Sequence, residues 1–192
     1  MSGRRERLFH ALRPVLAAAL GLLLGVAVTA FAGENPWNVF VVIVKGAFGT
    51  PYDLGLTLFY TTPLILTGLA VAVPFRAGLF NIGAEGQLLA GAMGATVVGV
   101  LAKDLSRGPG ILLATLAAFA AGAVWGAVPG WLKARRGGHE VISTIMLNWV
   151  AVSLVDNWLV TGPLRASAAG DNSISGTAQI HASAQLPRWF ED

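Results

Sequence analysis

The chain of 192 residues has no cysteine, which excludes disulfides, thiolate metal sites and cysteine nucleophiles. Charge is scarce too: only 12% of residues are Asp, Glu, Lys or Arg, against 55% apolar. So little charge cannot clothe a water-facing surface, and with a mean hydropathy of +0.66 the composition is that of an integral membrane protein. Histidine occurs only at His10, His139 and His181, too far apart in sequence to suggest a catalytic triad or a zinc site. No GxxxxGK[ST] loop is present. GAEGQLLAG lacks the lysine and the strand-to-helix setting of a phosphate loop, so neither nucleotide binding nor enzyme activity is expected, and no metal or cofactor is implied. The sequence pI of about 9.8 does not point to nucleic acid, because the basic residues are scattered at the ends of apolar segments instead of lining one face.

What is abundant is apolar sequence in helix-length runs. A membrane-crossing helix needs about 20 such residues, and the expected fold is an all-α polytopic bundle of about five spans: residues 15–33, 54–75, 79–102, 111–132 and 141–160. Residues 34–53, with Pro36, Trp37, Lys45, Pro51, Tyr52 and Asp53, read as an external loop holding a short interfacial helix. Pro63 and Pro74 in the second span each remove a backbone donor and invite a kink. The first span follows Arg4, Arg5, Arg7 and Arg13 and ends in Ala30-Phe31-Ala32, which is also the plan of a cleaved signal peptide. Its apolar run is longer than a signal's usual 7 to 15 residues, which favours an uncleaved span.

Cytoplasmic connections carry the excess of Lys and Arg. With the N-terminus inside, the inner ends hold Arg4, Arg5, Arg7, Arg13, Arg76, Lys133, Arg135 and Arg136, eight of the 13 basic residues. The expected topology is N-terminus cytoplasmic with residues 161–192 as an external loop.

Helices in lipid associate through close contact at small residues. Ala114, Ala118, Gly122, Gly126 and Gly130 make such a face on the fourth span, Ala17, Gly21 and Gly25 on the first, and Gly86, Ala90 and Gly94 on the third. Gly122, Gly126 and Gly130 are therefore candidate packing residues. Glu140, Thr144, Asn148 and Asp156 read as one polar stripe on the fifth span, and polar side chains at membrane depth face a cavity or another helix. The segment GLFNIGAEGQ, residues 78–87, has two readings. In one, Asn81 caps the third helix with Glu85 favoured by the helix dipole; in the other, the break lines a buried path. Asn81, Glu85, Gln87, Thr144 and Asn148 are the candidate path residues.

Residues 62–95, TPLILTGLAVAVPFRAGLFNIGAEGQLLAGAMGA, and 137–151, GGHEVISTIMLNWVA, resemble the two most characteristic blocks of permease subunits from ABC importers for nucleosides and simple sugars, a group related to ribose and branched-chain amino acid permeases. The likeness runs from about residue 10 to 190 and includes AQIHASAQLPRW. It implies a multi-pass protein of the plasma (inner) membrane. The implied partners are cytoplasmic ATPase subunits, a second permease subunit and an external solute-binding protein, besides membrane lipid. Permeases of this group continue for several more spans, so the chain is expected to be the N-terminal part of one permease domain. Lys133, Arg135 and Arg136, in the basic stretch KARRGGH, are a possible cytoplasmic coupling surface. The alternative function is an ATP-independent channel or secondary transporter.

Overall fold

A computed structural model describes residues 2–162, 164–165 and 176–187, with side chains from Leu12 onward. The external loop expected at 161–192 therefore lies partly outside the described residues, as do the side chains of Arg4, Arg5 and Arg7. Six helices follow one another: α1 Ser2–Thr29, α2 Pro36–Phe48, α3 Pro51–Arg76, α4 Ala84–Leu101, α5 Arg107–Arg136 and α6 Glu140–Leu154. A short π-helical turn, Val155–Leu159, continues α6. Five segments are long and apolar enough to cross a membrane: Leu12–Ala32, Pro51–Arg76, Ala84–Leu101, Arg107–Arg136 and Glu140–Leu159. The α2 helix, at 13 residues, is not. It rises only about 20 Å, less than a hydrocarbon core, as expected of an interfacial helix.

The described residues divide into two compact units, one up to residue 61 and one from residue 62 onward. In the first, Gly33 takes a left-handed conformation (φ 82°) just after the end of α1, the φ > 0 region that glycine enters at least cost. Asn35 then caps α2 by accepting from the backbone N–H of Trp37 at 2.9 Å and Asn38 at 3.4 Å, with Pro36 at the first helical position. Thr50 starts α3 in the same way: its hydroxyl accepts from the Asp53 N–H and donates to the Asp53 carboxylate.

In the second unit α4 packs along both α5 and α6. Small residues allow the approach. A Cβ at Gly94 would stand 2.7 Å from the Ala117 carbonyl oxygen and 2.9 Å from the Ala121 Cβ, and one at Gly91 3.2 Å from the Ala118 carbonyl. Residues 180–185 lie across the α4–α5 turn. There the Ser183 hydroxyl donates to the Ala102 carbonyl at 2.7 Å and the His181 N–H to the Gly99 carbonyl at 2.9 Å. A single antiparallel bridge joins Arg165 and Thr177. Large apolar side chains point outward all over the unit, Leu64, Phe119 and Trp149 among them, as they do where the solvent is lipid.

The third span differs from the expected 79–102. Its helix begins only at Ala84, after five residues without regular structure. Nor does Asn81 cap it, since the residue at the cap is Gly83, with no side chain to offer. The basic stretch also differs from the loop expected there. The α5 helix continues through Lys133, Arg135 and Arg136 until Gly137 (φ 63°), whose N–H closes onto the Leu132 and Lys133 carbonyls.

Candidate functional site

At the end of the second unit where α3 and α5 finish and α4 and α6 begin, the chain turns back on itself. After Arg76, Gly78 takes a left-handed conformation (φ 76°), and residues 79–83 run back beside α3 to the level of Ala70. Six residues of helix separate Ala70 from Arg76, about 9 Å along α3, so residues 79–83 form an extended segment that folds back alongside the end of α3 and leads into α4.

Proline chemistry holds it there. Pro74 has no N–H to give the Ala70 carbonyl four residues earlier, and this freed oxygen receives the Asn81 Nδ2 at 2.9 Å. On its other side the Asn81 Oδ1 accepts from the Gly83 N–H at 3.0 Å. The remaining donor and acceptor capacity of Asn81 faces Gln87, in two reciprocal amide contacts of 3.3 Å each. Those are longer than the usual N–H···O distance. Asn81 is thus pinned to backbone, and Gln87 is held more loosely.

The first turn of α4 is capped from a distant helix. Asn148 of α6 accepts from the Gly86 N–H at 2.9 Å and donates to the Ile82 carbonyl at 3.1 Å. Gly86 is required: a Cβ there would lie 2.7 Å from the Asn148 Oδ1 and 3.1 Å from the Trp125 Nε1. That indole N–H is buried with no partner among the described residues. A buried donor left unbonded costs about 1–3 kcal/mol. Trp125→Phe is accordingly expected to leave the thermal midpoint of the purified protein unchanged or raise it by a few degrees; a fall of several degrees would mean that the N–H has an acceptor in the membrane.

These elements line a half-open cavity of about 370 Å³, within the size range of small-molecule sites. Leu69, Val73, Pro74, Leu79 and Phe80 make an apolar wall, with Asn81 and Gln87 set in it. Gly126 and Gly130 of α5 form the opposite side, where Lys133 and Glu140 also reach the cavity and form an ion pair of 2.5 Å. Thr144 completes the lining, its hydroxyl donating to carbonyls of its own helix at Glu140 and Val141.

Of the residues singled out from sequence, Asn81, Gln87 and Thr144 meet in this cavity, and Asn148 stands beside it as the bridge between α4 and α6. Glu85 does not join them. It is exposed on α4, because two helical residues turn the side chain by about 200° and place Glu85 opposite Gln87. Asp156 is likewise exposed; at about 100° per residue it falls some 160° round from Glu140 even on a regular helix, so the stripe ends at Asn148. A Cβ added at Gly122 would stand 3.2 Å from the Gln87 backbone carbonyl oxygen and one at Gly126 3.0 Å from the Gln87 Nε2, whereas one at Gly130 would meet open space. Lys133 is engaged by Glu140, and Arg135 and Arg136 are exposed. Sequence reading passed over Pro74 as a partner of Asn81. The signal was available as a helix proline four residues after Ala70, with an amide side chain a short turn later.

Residues 54–185 match the family model described as branched-chain amino acid transport system / permease component. The guanosine ABC transporter permease protein NupP of Bacillus subtilis is 42% identical over 184 residues, which is 94% of this chain and 50% of that protein. The glucose ABC transporter permease protein TsgB13 of Haloferax volcanii is 36% identical over 91% of this chain and 44% of its own length. The nucleoside ABC transporter permease protein NupB of Lactococcus lactis subsp. cremoris is 35% identical over 90% and 47% respectively. The chain spans about half the length of these relatives. No solved structure matches it.

Proposed function

The chain belongs to the permease component family of branched-chain amino acid transport systems, and from that premise we propose that it is a membrane-spanning permease subunit of an ATP-driven importer. In this reading residues 1–192 form part of one transmembrane permease domain of the plasma membrane, without enzymatic activity of its own. Its solute is a nucleoside or simple sugar, the classes named for NupP, NupB and TsgB13. An external binding protein delivers the solute, a second permease subunit completes the path, and ATPase subunits drive it from the cytoplasm.

The observation that carries this reading is the cavity walled in part by the extended segment 79–83. Irregular backbone at membrane depth is tolerated where it borders protein or a path, and broken helices of this kind bind solutes in other transporters. Arg76, Lys133, Arg135 and Arg136 all lie at the cavity-bearing end, so by the positive-inside rule that end faces the cytoplasm. Arg135 and Arg136, exposed on the last turn of α5, with Lys133 behind them, are the surface offered to the ATPase.

Because the chain has no cysteine, one introduced thiol reports on the cavity cleanly. Gly130 has room for a side chain. In vesicles containing the complete importer, Gly130→Cys should react with a polar thiol reagent, and saturating guanosine or glucose should slow the reaction several-fold. A rate indifferent to both solutes would remove the cavity from the path.

A further inference from the structure

Of the two side-chain amides in the cavity, Gln87 is the less committed. A primary amide carries two donors and an acceptor with two lone pairs, and Gln87 spends one donor and one lone pair on Asn81, through two contacts of 3.3 Å. Asn81, by contrast, holds backbone groups at 2.9 and 3.0 Å. When a competitor enters, Gln87 is the partner that yields. Beside it the wall is apolar and includes the Phe80 ring and Pro74. A pyranose ring would leave most of its hydroxyls unpaired against such a wall, at a cost for each. A flat heterocycle stacks on it and needs polar partners only along one edge.

We propose that Gln87 reads the base edge of a nucleoside in this cavity, exchanging its amide contacts with Asn81 for a donor–acceptor pair on the purine, so that it is a specificity-determining residue of the permease. The proposal rests on the cavity being part of the path. An amide pairs with an edge presenting one donor and one acceptor, as glutamine does with adenine. A carboxylate only accepts, and so suits the adjacent N1–H and N2–H of guanine.

The test is made in the complete importer carrying Gly130→Cys, by measuring the guanosine and adenosine concentrations that halve the labelling rate. This readout does not depend on which nucleoside the binding protein prefers. Gln87→Glu should shift the guanosine-to-adenosine ratio toward guanosine by about tenfold, the size of discrimination one well-placed pair supplies. Gln87→Met, of similar length and uncharged, should weaken protection by both and change the ratio at least about threefold; it decides the matter if Gln87→Glu does not reach the membrane. A ratio equal to that of the unmodified Gln87 chain in these variants would overturn the proposal, even if labelling or uptake fell, since a purely structural role lowers both nucleosides alike. Loss of protection with Gln87 intact would instead sink the path reading itself.

Discussion

Asn81→Leu is expected to destabilise the second unit strongly, by about 1–3 kcal/mol for each of the two backbone groups it strands. Those groups are the Ala70 carbonyl and the Gly83 N–H. The same cause predicts an unusual rescue. Pro74→Ala supplies an N–H four residues after Ala70 and closes that turn of α3 internally, so the Ala70 oxygen no longer depends on Asn81. In a Pro74→Ala background, Asn81→Leu should cost less than in the native chain, with a coupling of about 1 kcal/mol or more. Thermal midpoints or denaturant unfolding of the four purified proteins in detergent measure the cycle directly. Strict additivity would show that the carbonyl freed by Pro74 is not what holds segment 79–83 against α3.

Asn148→Leu is the second change with a large expected effect. It leaves the Gly86 N–H and the Ile82 carbonyl without the side-chain partner that ties α4 to α6. Membrane abundance and thermal midpoint should both fall. Asn148→Asp keeps an acceptor for Gly86 but lacks the donor for Ile82, and should fall between Leu and the native residue provided the carboxyl is tolerated at that depth. If Asn148→Leu were as abundant and as stable as the native chain while uptake fell, Asn148 would be a contact for the solute and not the support for α4 described above.

The spans themselves were legible because their signals are local. Apolar runs of helix length, Pro36 and Trp37 marking a short helix between the first two spans, and Gly94 in the small face of the third span can each be read within a few neighbouring residues. The site was legible only as a set of residue types. Asn81, Gln87 and Thr144 do meet, but their partners lie 11 residues away at Ala70 and 62 away between Gly86 and Asn148, separations over which periodicity carries no information. The start of the third helix decided which faces its side chains take. Once the helix begins at Ala84, Glu85 and Gln87 must diverge, so the grouping of Glu85 with its neighbours failed on geometry although the residues were correctly seen as unusual. The basic stretch was misjudged for a related reason: three cations were read as a loop, whereas nothing in Lys133–Arg136 resists helix and the glycine after them supplies the stop.

The bridge from Asn148 also constrains how the molecule is made. On the ribosome, α4 is complete about fifty residues before Asn148 is synthesised, at roughly 5–20 residues per second. During that interval the first turn of α4 has no side chain to satisfy the Gly86 N–H, because Gly83 offers none. The α4–α5 hairpin can enter the bilayer on its own small-residue contacts, but the beginning of α4 stays frayed until α6 arrives. Insertion of α6 is therefore a finishing event for a helix made earlier, and a nascent chain stalled before residue 148 should expose residues 82–86 to protease or backbone exchange that the finished chain excludes.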